Sequence, residues 1–293
     1  MTRRMMLIIN PHSGRGLSKT ALGTIISSLC DADYHVSVYF SHDLTPEEIA
    51  YSYAKQNDLV VCVGGDGTLS GVISGLLRAK TSIPVGYIPS GTSNDVASTL
   101  ALSGDPSKAS QKILQGTPKA IDIGKFRDRY FTYIAAFGAF TGVSYSTPQS
   151  AKRALGHFAY VLGGLADMAT IKPQHTIIEY DGKSIEGEFI FGGVTNSTSV
   201  AGFIKLNSDR VDLADGEFEI ILVKQPMILT DLLDIMSSLT VRTYDSDTFQ
   251  MLHASKVKFT FKEKVAWTVD GENGGEHKTV EITNCNKAIE IVM

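Results

Sequence analysis

Long apolar runs are missing from this 293-residue chain: no stretch approaches the ~20 residues that a membrane-spanning helix needs, so any membrane contact is expected to be peripheral. The opening run Met5-Met6-Leu7-Ile8-Ile9 is too short for a signal peptide and reads as a first strand. Cysteine is scarce. Cys30, Cys62 and Cys285 lie far apart, which excludes a zinc-ligand spacing and a disulfide framework and fits a reducing cytoplasm. Excess charge is also small, with 27 Lys+Arg against 31 Asp+Glu and a net charge of -4. No broad basic field for nucleic acid follows from that balance. There is no internal repeat and no low-complexity tract. Familiar nucleotide fingerprints are absent too. No Walker A loop occurs, protein-kinase signatures are missing, and after Gly65 and Gly67 the third glycine of a dinucleotide loop comes one residue late, at Gly71. Standard P-loop enzymes, dehydrogenases and protein kinases are thereby set aside.

What is present is an ordinary globular composition, 43% hydrophobic and 20% charged, long enough for one or two domains. The first ~120 residues alternate strand and helix signals. Met6–Ile9, His35–Phe40, Leu59–Val63 and Pro84–Ile88 read as strands. Between the first two lies a helical stripe, Leu17, Ala21, Leu22, Ile25, Ile26 and Leu29. Thr45, Pro46 and Glu48 form a capping-box signature for a second helix, and a third, carrying Val72, Ile73, Leu76 and Leu77, follows Thr68. This alternation predicts a parallel sheet covered on both faces. After Lys119–Ile123 the texture turns to antiparallel strands: Thr176–Tyr180, Ile185–Phe191, Glu217–Val223, Val257–Phe261, Val265–Val269, Thr279–Ile282 and Ala288–Val292. Helical inserts are expected near Ala154–Ala169 and Ile228–Leu239.

Four polar or glycine-bearing loops fall after the early strands: Asn10–Gly16, Ser41–Asp43, Gly64–Thr68 and Pro89–Asp95. Ligands of open parallel sheets bind at that strand end. Glycines let the backbone approach a phosphate, and a following helix adds its positive end. Asp66 places a carboxylate in the third turn, where a metal–phosphate complex has use for it. The plain alternative for each loop is an ordinary turn.

Asn10-Pro11-x-Ser13-Gly14, Gly64-Gly65-Asp66-Gly67-Thr68, Pro89-Ser90-Gly91-Thr92-x-Asn94-Asp95, Asp212–Phe218 and Asp270-Gly271-Glu272 together resemble the diacylglycerol kinase catalytic domain family, which includes soluble bacterial lipid kinases and is similar to sphingosine kinases. The resemblance spans essentially the whole chain. It implies an N-terminal three-layer α/β domain with a parallel sheet over residues 1–122 and a C-terminal antiparallel β-sandwich over 123–287, with a tail at about 288–293 returning to the first domain. It implies ATP and Mg2+ as cofactors. Asn10, Pro11, Ser13, Gly14, Ser41, Gly64, Gly65, Asp66, Gly67, Thr68, Gly91, Thr92 and Asn94 would contact ATP. Asp66 would hold the magnesium of Mg-ATP. Glu272 would be the general base on the acceptor hydroxyl, although by itself Asp270–Gly275 reads as a hairpin turn. The resemblance also implies a structural magnesium at Asp215, joined by backbone oxygens of Asp212 and Glu217, with Asp95 and Asp122 as a supporting network. Phe218 stands where the family most often has Leu.

Arg15 and Lys19 are candidate phosphate-neutralising cations. Lys152 and Arg153 beside Ala154–Leu162 are a candidate membrane contact, with a core-packed helix as the plain alternative. The expected partner is a lipid substrate at a membrane surface, met by a cytoplasmic enzyme in transient peripheral contact; a homodimer through a sheet edge is left open. Two rivals remain: a soluble NAD kinase-like enzyme, which shares the Gly-Gly-Asp-Gly-Thr turn, and a non-catalytic nucleotide- or lipid-binding regulator.

Overall fold

The computed structural model describes residues 3–14, 19–138, 172–200, 204–206, 211–242 and 244–293. The cations Arg15, Lys152 and Arg153, the side chain of Lys19 and the helix expected at 154–169 lie outside the described residues. Two compact units are present, and the chain visits them alternately. The first comprises Met1–Tyr133, Asp212–Gly216 and Cys285–Met293; the second comprises Ile134–Val211 and Glu217–Asn284.

In the first unit, β1 (Arg3–Ile9), β2 (Tyr34–Phe40), β3 (Leu59–Gly64) and β4 (Val85–Pro89) lie in the order β2-β1-β3-β4, all parallel. Parallel neighbours need crossovers, which α1 (Lys19–Cys30), α2 (Pro46–Tyr53) and α3 (Asp66–Arg78) supply. The capping box is made: Thr45 Oγ1 accepts from Glu48 N at 3.2 Å, and Glu48 Oε2 accepts from Thr45 N at 2.8 Å. Two further helices follow, α4 (Asp95–Thr99) and α5 (Pro106–Gln115), the latter capped by Asp105. One face of the sheet presents Met5, Leu7, Ile9, Val61, Val63 and Ile88 to Ile25 and Leu29 of α1 and to Ala109 and Ile113 of α5. Elsewhere α3 packs on α2 so closely that a Cβ on Gly75 would lie 2.7 Å from that of Ala50. A short hairpin of β5 (Pro118–Phe126) and β6 (Arg129–Phe131) follows. The far end of the chain completes this unit. Ile291 pairs in parallel with Val85, and Thr117 and Met293 exchange backbone hydrogen bonds of 3.1 Å.

The second unit contains β7 (Ile134–Gly138), β8 (Gln174–Tyr180), β9 (Lys183–Thr195), the short pair β10 (Ser199–Val200) and β11 (Ile204–Lys205), β12 (Phe218–Lys224), α6 (Leu229–Val241), β13 (Phe249–Ala254), β14 (Lys256–Val269) and the start of β15 (Glu272–Val292). Its registers are antiparallel. Long strands change partners midway. The first half of β9 pairs with β8 and its second half with β7 and β12, while β14 pairs first with β8 and then with β7. Segments that read as separate strands, Val257–Phe261 and Val265–Val269, are one strand here. The exposed Lys262-Glu263-Lys264 is absorbed by a register shift against β15 rather than forming a turn. The core holds an aromatic cluster in which Phe137 and Phe259 meet Trp267 at ring-centroid distances of 5.1 and 5.2 Å, and Phe261 lies 4.9 Å from Phe137.

Candidate functional site

Parallel pairing puts the ends of β1, β3 and β4 at one sheet edge, and the loops that leave them are laced together. Asn10 N donates to Val63 O at 2.9 Å, and Ser90 N donates to Gly64 O at 2.7 Å. Asn10 Nδ2 donates to Thr68 Oγ1 at 3.0 Å, while its Oδ1 accepts from His12 N at 3.0 Å, so one side chain ties the first loop to the head of α3. On this loop Pro11 is exposed and Ser13 is buried. Ser41, half-buried at the end of β2, donates its backbone N–H to Ile9 O at 2.9 Å.

Three glycines let these loops touch backbone to backbone. Gly14 sits at φ +59°, and a side chain there would strike the Ser90 carbonyl. A Cβ on Gly65 would lie 3.2 Å from both Gly91 Cα and Ser13 Oγ; one on Gly91 would lie 2.6 Å from Gly65 Cα. The surface that results is bare main chain. Thr68 N and Leu69 N turn back to Gly65 O, leaving the N–H of exposed Gly67 without a partner among the described residues, at the positive end of a 13-residue helix. A phosphate fits such a place. Exposed Thr92 stands on the neighbouring loop.

Asp66, the first residue of α3, spends its carboxylate largely on the protein itself. Oδ2 accepts from Asp95 N at 2.8 Å, and Oδ1 accepts from Val96 N at 3.2 Å and from Tyr87 Oη at 3.4 Å. It therefore caps α4 from another element. Asn94 is also turned inward. At φ +52°, a conformation Asn tolerates, its amide clasps Gly91 twice, accepting from Gly91 N at 2.9 Å and donating to Gly91 O at 3.0 Å. Burial, and then the Asp66 charge, push the Tyr87 phenol far above its usual range, so Tyr87 remains a donor. The same two causes, in the same order, keep Cys62 a thiol. Sequence reasoning missed Tyr87, whose signal was one aromatic in a short, otherwise small-and-aliphatic strand.

Asp122 is 1% exposed and holds two distant segments of the first unit. Its Oδ2 accepts from Gly216 N at 2.6 Å, and its Oδ1 accepts from Lys287 N at 2.6 Å and Asn286 Nδ2 at 3.0 Å. Asp122 N in turn donates to Leu213 O at 2.7 Å. Asp212 and Asp215 are exposed on the loop so held, and Asp212 Oδ1 accepts from Ala214 N at 3.0 Å. Gly216, at φ +90°, admits the Asn286 side chain. Nothing local in the sequence marked Asn286 or Lys287 as partners of Asp122. Glu217 opens the second unit, exposed, with its carbonyl accepting from Asn284 Nδ2 at 3.1 Å. Among the described residues no three His, Cys, Asp or Glu side chains converge as a metal cluster.

In the second unit Glu272 is exposed beside a two-residue hairpin turn. Asp270 and Gly271 have φ of 49° and 81°, and Val269 faces Glu272 across the turn. Asp270 locks the tip to β7: its Oδ1 accepts from Ile134 N at 3.0 Å, and its N donates to Ile134 O at 2.8 Å. The Asp-Gly of the motif is thus structural, and it holds the glutamate on rigid backbone.

Residues 4–126 match the family described as diacylglycerol kinase catalytic domain, and residues 138–292 match the YegS C-terminal NAD kinase beta sandwich-like domain. A diacylglycerol kinase of Bacillus subtilis (strain 168) is 33% identical, over 99% of this chain and 96% of that one. A diacylglycerol kinase of Staphylococcus saprophyticus is 34% identical, over 94% of this chain and 91% of its own. A crystal structure from Bacillus anthracis str. Sterne superposes with a TM-score of 0.81 over 99% of this chain and 96% of the other; at 24% identity this is a likeness of fold. With two family domains in this order and relatives this similar along nearly its whole length, the chain belongs to the diacylglycerol kinase family.

Proposed function

We propose that this protein is an ATP- and Mg2+-dependent lipid kinase that moves the γ-phosphoryl group to the hydroxyl of diacylglycerol or a similar lipid, giving phosphatidic acid or its analogue. The observation that carries the reading is the interlock of Gly14, Gly65 and Gly91, which bares the Gly67 amide at the head of α3. Phosphoryl transfer is mostly positioning and charge stabilisation, and a rigid main-chain cradle supplies both. Ser13, Ser41, Thr68 and Thr92 are the hydroxyls in or beside that cradle. Magnesium would neutralise charge on the phosphates, with Asp66 as the residue that would hold the metal of Mg-ATP and Asp212, Asp215 and Glu217 as the structural magnesium residues. Glu272 would take the acceptor's proton. As the acceptor oxygen bonds to the γ-phosphorus, the bond to the bridging oxygen breaks and ADP leaves. The lipid acceptor implies a cytoplasmic protein working at a membrane surface.

Mixed micelles of diacylglycerol with labelled ATP and magnesium test the proposal by appearance of labelled lipid. Glu272→Gln is expected to lose nearly all of that activity while keeping ATP binding; full rate in this variant removes Glu272 from the base role. A phosphorylated dinucleotide as sole product would select the NAD kinase-like reading. ATP and liposome binding without turnover over a broad acceptor panel would select the regulator.

A further inference from the structure

In the second unit, every large apolar side chain that stands exposed among the described residues belongs to α6 or the two residues before it. Met227 is 77% exposed, Ile228 63%, Leu233 55% and Val241 63%. The helix has a proper inner face, on which Ile235 and Ser238 are buried. At 100° per residue, Thr230, Leu233, Ser237, Thr240 and Val241 share the opposite arc, and all five are exposed. A water-facing helix surface normally carries charge. This one carries none in that arc, and α6 has no Lys, Arg or Glu at all.

Its two carboxylates are turned to other uses. Asp231 Oδ2 accepts from Met227 N at 2.8 Å and Ile228 N at 3.2 Å, folding the apolar entry turn onto the helix. Asp234 accepts from Thr248 Oγ1, and hydrogen bonds from Ser246 and Thr248 hold its carboxyl below the usual range. The nearest outward acids, Asp245 and Asp247, lie on the turn beyond the helix.

We propose that α6, with Met227 and Ile228, is the face by which this protein lies on a lipid surface. Four exposed side chains make a patch on the scale of a functional one, about 300–600 Å². Among the described side chains that falls short of the ~800 Å² per partner of a stable protein interface, which argues against a second copy as the occupant. An amphipathic helix whose outward arc carries no charge suits the headgroup boundary, that arc dipped in and its Ser and Thr hydroxyls among the headgroups. Exposed Arg242 at the helix C-cap is outnumbered by exposed Asp245 and Asp247 on the turn beyond, so the patch has no net positive charge beside it and its attachment should be apolar and survive high salt. The proposal rests on the lipid-kinase reading, but its readout is binding.

The test is co-sedimentation of the full chain with phosphatidylcholine vesicles containing diacylglycerol, at low and high salt. Ile228→Glu and Leu233→Glu are each expected to cut partitioning by roughly tenfold, and Phe40→Glu, in an exposed apolar position of the first unit, to leave it unchanged. Unchanged thermal midpoints, with unchanged turnover of a dispersed short-chain diacylglycerol, would show that the α6 variants are folded and competent. Vesicle binding equal to that of the unsubstituted chain in both α6 variants overturns the proposal. So does a dimer in gel filtration that either α6 substitution dissociates. Loss of vesicle binding by the variants of a chain that phosphorylates no lipid would keep the surface and remove the kinase reading.

Discussion

A single carboxylate carries two duties at Asp66, and they separate experimentally. Its oxygens cap α4 through the amides of Asp95 and Val96. Asp66→Ala should abolish kinase activity and also cost about 1–2 kcal/mol in urea denaturation. A carboxylate reserved for magnesium would leave stability untouched, and an unchanged urea midpoint would show that. Asp66→Asn offers one oxygen where two accept, so it should cost part of that stability and most of the activity. Burial separates the cysteines as clearly. Cys30 is exposed, whereas Cys62 is wholly buried with its thiol pushed up by desolvation and then by Asp66. Raising the pH through neutrality therefore leaves Cys62 protonated. Alkylation followed by mass spectrometry should label Cys30 in the folded protein and Cys62 only after denaturation; early labelling of Cys62 would contradict this. Asp66 was conspicuous in the sequence because a charge sits among glycines. Its partner Tyr87 was not, since a hydrogen bond 21 residues away leaves no local pattern.

Among the elements, the loop interlock makes the sharpest demand. Gly91→Ala would press a methyl group 2.6 Å from Gly65 Cα, a distance the backbone must open. Overpacking of this kind costs about 1–3 kcal/mol, and here the strain falls on the phosphate cradle. Loss of ATP affinity in calorimetry is expected to exceed what the lost stability explains, and Gly23→Ala, in open space on α1, should change neither. The start of α2 responds to pH instead. Hydrogen bonds from the Thr45 backbone and then its hydroxyl hold the Glu48 carboxyl below its usual value. A depressed carboxyl stabilises the fold above its unfolded pKa, and that contribution goes as pH falls through the folded value. The protection factor of the Glu48 amide should fall in mild acid, and Thr45→Ala should bring the same fraying to neutral pH. This helix was legible because its cap is written in three neighbouring residues. So were β1 and β3, as short aliphatic runs that end in turn residues. By contrast α5 was hidden, because Pro106–Gln115 is polar apart from Ala109, Ile113 and the partly buried Leu114. The unity of β14 was hidden as well, since a charged bulge reads in sequence like a turn.

Over the whole molecule, Asp122 is the residue on which the first unit's distant segments meet. Replacing it with Ala would orphan the amides of Gly216 and Lys287 and the Asn286 side chain. A loss of about 3 kcal/mol or more is expected in chemical denaturation, since each hydrogen bond to a charged group contributes about 1.5–3 kcal/mol; a change under about 1 kcal/mol would show that those segments hold without it. No spacing rule could have revealed this arrangement, because the chain of the second unit lies between residues 122, 216 and 286. Time is the further consequence. The strand that pairs with β4, and the Asn286 that meets Asp122, are synthesised after residues 134–284. At about 5–20 residues/s, the ribosome needs roughly ten to thirty seconds to deliver them. A first unit that folds as it emerges would hold β4 as an open sheet edge through that interval, the kind of edge that templates aggregation. Such a nascent chain would be a natural client for a chaperone, since the segments that form the phosphate cradle are synthesised well before the strand that completes their sheet.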